Sequence, residues 1–254
     1  TCDYCRRGLR NHCQDMKFNG SAMRFPHVQG MFREYMDVTA DRAFAMPAGI
    51  EPAEAALCEP VSVVLHAANQ AGDLSGQTVL VSGCGPIGVI AVAVARLRGA
   101  AKIIATDITA HSLAVAGKLG ADQTINVITD SAALAPYAEG KGQIDVAFEC
   151  SGNPAALASA VSLLRPRGRM VLVGLGGDAP LPVNTIVAKE IGLVGTFRFD
   201  PEFAEAAALI GARRLDLRPM ISAVFAFDQA VEAFALASDR NKATKVAIAL
   251  AGVA

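Results

Sequence analysis

The chain has 254 residues, of which 52% are apolar, and its formal net charge at pH 7 is −1. This length allows one large domain or two moderate ones with cores of their own. The apolar content excludes a disordered chain, and the charge balance offers no basic surface for a nucleic acid. The longest apolar run, around residues 87–94, is too short to cross a bilayer, so we expect no membrane partner.

The sequence begins with Thr1 inside a cysteine motif, so we expect it to be a fragment of a longer chain. No basic segment followed by an apolar one indicates export. Without a secretory context, six cysteines favour metal binding over disulfides. We therefore expect a cytoplasmic protein.

The first cysteines have the spacing of a metal site. Cys2 and Cys5 form a C-x-x-C pair, and Cys13 follows after seven intervening residues. Thiolates in a tight turn can converge on one tetrahedral zinc ion, and a third can join them from the end of a short loop. The fourth ligand is either His12, although adjacent residues rarely point the same way, or an upstream cysteine. A redox C-x-x-C is the alternative, but that motif normally opens a helix after a strand.

Residues 55–68 carry apolar side chains at helical spacing, which predicts a buried helix that links two domains. Glu59 stands at the head of this apolar run. Because an unpaired buried carboxylate is costly, Glu59 should meet a cation, a metal or the donors of a helix start. His66 lies on the apolar face, and we interpret it as a packed histidine with a satisfied hydrogen bond.

A glycine motif typical of dinucleotide sites joins the next two predicted elements. Residues 79–82 predict a buried strand and residues 86–97 predict a helix. Between them, Gly83, Gly85 and Gly88 fill the three slots of G-x-G-x-x-G. The first glycine allows the tight turn, the second lets the backbone approach a pyrophosphate, and the third lets the helix pack closely on the strand.

The helix start and the next strand end add to this cofactor site. Pro86 suits the first helical turn, and the N–H groups that begin at Ile87 can face a phosphate. The following strand ends at Asp107, where a carboxylate can bind both ribose hydroxyls and repel a 2′-phosphate. The alternative for Asp107 is a turn or helix-capping residue. The next basic residue is Lys118, so the sequence favours NAD, with NADP as the second candidate.

From residue 76 onward, strands and helices alternate, which predicts an α/β fold with a doubly wound parallel sheet of six strands. The predicted later strands, some with their exit loops, are 102–107, 123–127, 144–152, 170–174 and 190–199. The predicted helices are 110–119 and 154–164, with a poor helix and loop over 129–142. Residues 201–254 predict two amphipathic helices (about 201–212 and 227–238) and a last strand at 245–250.

Over nearly its whole length the chain resembles the zinc-dependent medium-chain dehydrogenases. Its three early cysteines match the last three ligands of the family's C-x-x-C-x-x-C-x7-C lobe. Residues 58–68 resemble E-P-[LV]-[AS]-V-x-[LI]-H-A, and residues 195–199 resemble G-[ST]-F-R-[FY]. Residues 14–28 and 195–203 are most similar to the idonate members of the sorbitol dehydrogenase branch.

The resemblance implies a division of the chain and an activity. Residues 1–60 would be the remnant of a GroES-like catalytic domain, residues 61–200 a Rossmann domain, and residues 201–254 the return to the catalytic domain. The implied reaction is zinc-assisted hydride transfer from a secondary hydroxyl of an aldonic acid to NAD(P), from L-idonate to 5-keto-D-gluconate. The implied assembly is a homodimer or homotetramer.

The same resemblance assigns roles to individual residues. Glu59 would lie at the catalytic zinc, as a ligand or through the bound water. Phe18 and Ser21 would line the substrate cleft, their alternatives being a core residue and a turn residue. The guanidinium of Arg198 would bind the substrate's carboxylate through two hydrogen bonds, the alternative being a solvated loop arginine. Val173, Gly174 and Leu175 would back the nicotinamide part of the cofactor, and Phe197 is a further expected cofactor contact.

Two departures and two rival functions stay open. The loop 174–177 could be a plain glycine-rich turn, and the cysteine and His-Glu pair of the family's catalytic zinc have no counterpart in this sequence. One rival is a sorbitol-type dehydrogenase that acts on a neutral polyol. The other is a catalytically silent NAD-binding fragment.

Overall fold

A six-stranded parallel sheet forms the centre of the computed structural model, which describes residues 2–21 and 23–250. Thr1, Ala22 (part of the predicted motif 14–28) and residues 251–254 lie outside the described residues. The strands are β1 (Thr78–Ser82), β2 (Lys102–Asp107), β3 (Gln123–Asn126), β4 (Ile144–Glu149), β5 (Leu164–Leu172) and β6 (Gly192–Gly195). The predicted doubly wound α/β sheet is confirmed.

The order of the strands places a ligand crevice at one point of the sheet. Their spatial order is β3-β2-β1-β4-β5-β6, and each neighbouring pair is parallel. The chain therefore winds outward from β1 in one direction and from β4 in the other. In such sheets, ligands bind outside the carboxyl ends of the strands where this direction reverses. Here that point lies between the loops after β1 and β4.

Helices cover both faces of the sheet because successive strand residues point to opposite sides. Val79 and Val81 of β1 lie in one buried cluster, and Leu80 lies in the other. The helices are α1 (Asp3–Arg6), α2 (Pro52–Ala55), α3 (Cys58–Ala71), α4 (Pro86–Leu97), α5 (Ala110–Lys118), α6 (Ala135–Ala138), α7 (Pro154–Leu163), α8 (Val183–Ala188), α9 (Glu202–Gly211) and α10 (Ala230–Ser238). In the described part of the chain, no helix combines the length and apolarity that a membrane span requires.

Strand β5 begins earlier than the sequence predicts. Its register against β4 jumps from the Ile144–Leu164 pair to the Val146–Arg169 pair, so a bulge accommodates the residues between. Pro166 lies in that bulge, where its missing N–H removes no regular ladder hydrogen bond. The helix predicted at 154–164 is confirmed as α7, which ends at Leu163, but β5 begins directly after it and not at residue 170.

The last fifty residues contain a strand that the sequence analysis missed. β7 (Ile221–Ala226) pairs in parallel with β8 (Lys245–Ala249) in a separate two-stranded sheet. Its side chains alternate between half-buried and exposed, which gave only a weak apolar signal. The helix predicted at 227–238 begins as a 3-10 turn, Phe227–Gln229, and continues as α10.

Candidate functional site

The glycine motif after β1 has no room for side chains at its first and third positions. Gly83 has φ +88°, and a Cβ added to it would lie 2.8 Å from Cβ and the backbone nitrogen of Ser151. A Cβ at Gly88 would lie 1.8 Å from the carbonyl oxygen of Gly83. The first glycine thus packs against the loop after β4, and the third lets α4 approach the turn. The positive φ of Gly83 agrees with its predicted role in the turn, and the position of Gly88 agrees with its predicted packing role, but the contact of Gly83 with the loop after β4 was not predicted.

The middle glycine faces open space. Gly85 is exposed, and a Cβ added there would meet no atom within 4 Å. It is the N-cap of α4, no side chain caps that helix end, and Pro86 occupies its first turn. The N–H groups that begin at half-buried Ile87 can therefore take an anionic ligand. This arrangement fits the pyrophosphate of a dinucleotide.

The carboxylate of Asp107 holds the turn that follows β2. Its Oδ2 accepts a hydrogen bond from the backbone N–H of Cys84 at 2.7 Å, which ties it to the glycine motif. Its Oδ1 accepts from the N–H groups of Ile108 and Thr109 at 2.8 Å and from the Thr109 hydroxyl at 2.9 Å. The alternative role as a turn residue is thus present, and the same contacts fix a half-buried negative charge beside the motif.

The loops after β4 and β5 meet backbone against backbone. A Cβ on Gly174 would lie 2.3 Å from the nitrogen of Gly152, and one on Gly176 would lie 1.6 Å from its carbonyl oxygen. Val173 and Gly174 also donate their N–H groups to the carbonyl of Glu149 at 2.9 Å. The predicted nicotinamide-facing loop therefore sits at the carboxyl end of β5, with the side chain of Leu175 98% exposed.

Sequence reasoning missed the residue that builds this junction. Glu149 ends β4 and is only 2% exposed, yet its carboxylate is satisfied by the chain that follows it. It accepts from the backbone N–H of Ser151 at 2.9 Å and from that of Gly152 at 3.1 Å, and also from the Ser151 hydroxyl. A glutamate that ends an apolar strand and precedes a Ser-Gly pair was the available signal.

The three early cysteines converge. The Sγ atoms of Cys2, Cys5 and Cys13 all lie within 4.8 Å of one another, and those of Cys2 and Cys5 are 3.7 Å apart. The backbone N–H of Gln14 points at the Cys2 sulfur from 3.5 Å and lowers the pKa of that thiol to about 6. The hydrogen bond with Cys13 raises the pKa of Cys5. Three thiols in this arrangement fit a tetrahedral zinc ion.

His12 does not complete this metal group. Among residues 2–21 and 23–250, the group consists of the three cysteines alone. The His12 ring instead stacks on Phe197, with centroids 5.7 Å apart and ring planes 30° apart. The expectation that adjacent residues diverge is borne out, and Phe197 is thereby anchored to the cysteine lobe.

Arg198 lies in a cleft of about 350 Å³ against the segment that follows the lobe. Its guanidinium carbon is 3.9 Å from the ring centroid of Phe18. Its Nη2 is 3.4 Å from the hydroxyl of Ser21 and 2.8 Å from the sulfur of Met23. The structure thus brings together the three residues predicted to contact substrate. Burial lowers the pKa of Arg198.

Two structural details indicate that Arg198 binds a ligand. Its backbone has φ +53°, a left-handed conformation that costs energy for a residue other than glycine. Its Nη1 is buried and has no hydrogen-bond partner among residues 2–21 and 23–250. Because a buried unpaired donor is expensive, such a group indicates a ligand that supplies the missing acceptor.

Glu59 lies in the first turn of α3, close enough to Arg198 for each charge to affect the pKa of the other. Its side chain reaches solvent, but partial desolvation by the surrounding protein raises its pKa. The positive charges of Lys245 and Arg198 act in the opposite direction. Within the described residues, Glu59 belongs to no cluster of three His, Cys, Asp or Glu donors. These residues alone therefore do not form a catalytic metal centre around it.

The histidine of the same helix is satisfied, as predicted. His66 Nδ1 is 2.8 Å from Oε1 of Glu202, a residue only 6% exposed. Oε1 also accepts from the Asn69 amide at 3.1 Å, and Oε2 accepts from the N–H of Asp200 at 3.0 Å. These donors lower the pKa of Glu202 against the effect of burial. The network connects α3 to the loop that carries Arg198.

Several known proteins are similar to this chain in sequence. A family model described as zinc-binding dehydrogenase matches residues 86–212. L-idonate 5-dehydrogenase (NAD(P)(+)) of Escherichia coli K12 is 39% identical over 96% of this chain and 71% of its own length. Sorbitol dehydrogenase of Bacillus subtilis is 33% identical over 97% of this chain and 70% of its own.

Similarity in structure matches the similarity in sequence. The crystal structure of the Escherichia coli L-idonate 5-dehydrogenase superposes with a TM-score of 0.94, covering 98% of this chain and 71% of that one. On the sequence matches, this chain is a member of the zinc-binding dehydrogenase family.

Proposed function

We propose that the protein oxidises a secondary hydroxyl of an aldonic acid, converting L-idonate to 5-keto-D-gluconate while NAD(P) is reduced. The observation that carries this proposal is the buried Nη1 of Arg198, which has no hydrogen-bond partner in the part of the chain that the structure describes. A sugar acid brings a carboxylate that can accept from both terminal nitrogens of a guanidinium. A neutral polyol offers only hydroxyls. The 39% identical relative named for L-idonate supports the same choice.

The cofactor is proposed to lie across the carboxyl edge of the sheet. Its pyrophosphate would approach Gly85 and the start of α4, where neither a Cβ nor a capping side chain would interfere. Asp107 would accept from the ribose hydroxyls of the adenosine half, which favours NAD. Val173, Gly174 and Leu175 would back the nicotinamide, with Phe197 beside it. When bound, the nicotinamide accepts the hydride.

The residues of this chain have separate tasks in that reaction. Arg198 would hold the acid end of the substrate, so that the opposite end reaches the nicotinamide. Phe18 covers the face of the guanidinium and excludes water from it, and Ser21 orients it. Glu59 would lie at the catalytic zinc, as one ligand or through its water. A zinc ion there supplies Lewis-acid polarisation of the reacting hydroxyl.

The remaining features of the protein are proposed to follow the family. Residues 1–60 and 201–254 would belong to a GroES-like catalytic domain, and residues 61–200 to the Rossmann domain. All six cysteines are free, which supports a reducing compartment such as the cytoplasm. The protein would assemble as a homodimer or homotetramer, and β6 at the end of the strand order offers an edge for such pairing.

A comparison of substrates tests the proposal. Steady-state rates of the zinc-loaded protein with L-idonate and with sorbitol should show a clear preference in kcat/KM for the acid. Equal efficiencies would support the polyol dehydrogenase. Turnover of neither substrate, with NADH still binding in calorimetry, would support the silent nucleotide-binding fragment.

Replacing Asp107 should change cofactor choice. Asp107→Asn keeps one oxygen, which can accept either from Cys84 or from Ile108 and Thr109 but not from both, and it removes the charge that repels a 2′-phosphate. We expect the preference for NAD over NADP, as a ratio of kcat/KM values, to fall by about five- to tenfold, which corresponds to ~1 kcal/mol between close charges in water.

A matched control is available on the same sheet. Asp122→Asn removes a carboxylate whose Oδ2 accepts from the N–H of Ile103, near the start of β2, so it lies away from the cofactor edge. This variant should leave the cofactor ratio unchanged. If Asp107→Asn leaves the ratio of kcat/KM values for NAD and NADP unchanged, Asp107 does not determine cofactor choice and only stabilises the turn.

A further inference from the structure

Both walls of the substrate cleft are connected to the cysteine lobe. One wall begins directly after Cys13 and includes Phe18, which lies against the guanidinium of Arg198. The other wall is the loop 196–200 that carries Arg198 itself. Three side chains from the lobe contact this loop, although they lie almost 190 positions away in sequence.

Asn11 makes the most protected of these contacts. It lies in the 3-10 turn Arg10–His12, between the second and third cysteines, and is only 6% exposed. Its Nδ2 donates to the carbonyl oxygen of Phe197 at 3.0 Å. That carbonyl belongs to the peptide bond that leads into Arg198. The hydrogen bond therefore acts on the backbone that is held at φ +53°.

The two neighbouring contacts differ in kind. His12 stacks on the Phe197 ring, and Arg10 forms an ion pair with Asp200 at 2.9 Å. The arginine side chain of that pair is 67% exposed, so the pair should contribute little. The buried amide of Asn11 is therefore the contact through which the lobe can fix the loop.

We propose that Asn11 is a positioning residue that couples metal binding at Cys2, Cys5 and Cys13 to the placement of Arg198. A metal held by these cysteines closes the loop of residues 6–12 at both ends. Closure orders the turn that presents Asn11, and Asn11 then holds the Phe197 carbonyl. Without the metal, the turn is free to move and the loop 196–200 loses this constraint.

Hydrogen–deuterium exchange of a peptide spanning residues 195–203 tests this coupling without any substrate. In the wild-type protein, removal of zinc should raise its exchange about five-fold, the factor that one typical hydrogen bond corresponds to. In Asn11→Ala, exchange should already be raised with zinc present, and zinc removal should add little. Arg10→Ala is the matched control and should respond to zinc as the wild type does.

Unchanged exchange on zinc removal from the wild type would overturn the proposal, as would an Asn11→Ala response equal to that of the wild type. Binding of NADH at the glycine motif reports whether each variant is folded. If Asn11→Ala fails to fold, Asn11→Leu keeps the approximate size of the side chain and removes the N–H donor without adding a charge. Even without a folded variant, the wild-type comparison can overturn the proposal, because unchanged exchange on zinc removal excludes the coupling.

A kinetic measurement extends the inference and rests on the proposed function. Asn11→Ala should raise KM for the aldonic acid about five-fold while kcat stays unchanged, because Arg198 is misplaced but not removed. The efficiency with a neutral polyol should not change. If zinc-dependent exchange is observed but idonate is not preferred by the wild type, the coupling stands and the assigned substrate is wrong.

Discussion

Arg198→Ala is expected to lower kcat/KM for L-idonate by about 100-fold or more and to leave the efficiency with sorbitol within about three-fold of wild type. Hydrogen bonds to charged groups contribute ~1.5–3 kcal/mol each, and a carboxylate can take two from one guanidinium. The neutral polyol makes no such pair, so its loss should be small. Steady-state kinetics with both substrates on the zinc-loaded protein measure the difference.

Two further variants make this result specific. Arg198→Lys keeps the charge but loses the planar pair of donors, so its efficiency with the acid should fall between those of wild type and Arg198→Ala. Arg24→Ala removes the other arginine of the cleft, which is already paired with the exposed carboxylate of Asp15. We expect it to cost at most about three-fold, as for other exposed ion pairs.

The outcome that would contradict the carboxylate role is an equal loss for both substrates. That pattern would show that Arg198 supports the cofactor or the loop rather than the acid end of the substrate. An Arg24→Ala variant with the larger loss would instead move the acid-binding role to the opposite wall of the cleft.

The second large effect is expected from replacing two glycines of the same motif, one of which should affect cofactor binding and the other folding. Gly85→Ala should leave the free energy of unfolding within about 0.5 kcal/mol of wild type, because the added methyl meets no protein atom and the residue already has φ −62°. The same methyl occupies the space that the pyrophosphate approaches. NADH binding by calorimetry should weaken at least about tenfold, or ~1.4 kcal/mol.

Gly88→Ala is the matched comparison, and it should lower the stability of the fold. Its Cβ would lie 1.8 Å from the Gly83 carbonyl, so α4 must move away from β1. Overpacking of this kind costs ~1–3 kcal/mol, and urea unfolding should show a loss near the upper limit. If Gly85→Ala binds NADH normally, or if Gly88→Ala unfolds like the wild type, the assigned glycine roles are wrong.

The Rossmann sheet could be predicted because local and global signals agree. Four of its features are periodic or local: buried strands, helices, the glycine motif and the acidic end of β2. β7 could not be predicted in the same way, because only every second residue is partly covered and its partner strand lies about twenty residues later. The bulge in β5 was missed for a related reason, since Pro166 gives the same local signal in a helix end and in a strand irregularity.

In the candidate site, too, features that depend on nearby residues could be predicted and features that depend on distant ones could not. The convergence of three cysteines and the glycine roles followed from spacing, since each depends on residues near one another in sequence. The satisfied state of His66 was predicted, but its partner Glu202 lies 136 positions later and only tertiary structure identifies it. Asn11 acts through a backbone group almost 190 positions away, which its residue type does not indicate, whereas Glu149 acts on the adjacent loop and left only the weak signal of a glutamate at the end of an apolar strand.

The contact between Gly152 and the glycines of the 174–177 loop has a practical consequence for protein engineering. A Cβ on Gly152, Gly174 or Gly176 would overlap the backbone of the opposite loop, so the exits of β4 and β5 are packed too closely for these three positions to change alone. Single replacements of these glycines, made to enlarge the space for an altered cofactor, should therefore destabilise the protein. A library that varies both loops together, as paired designs, is the route that this geometry leaves open.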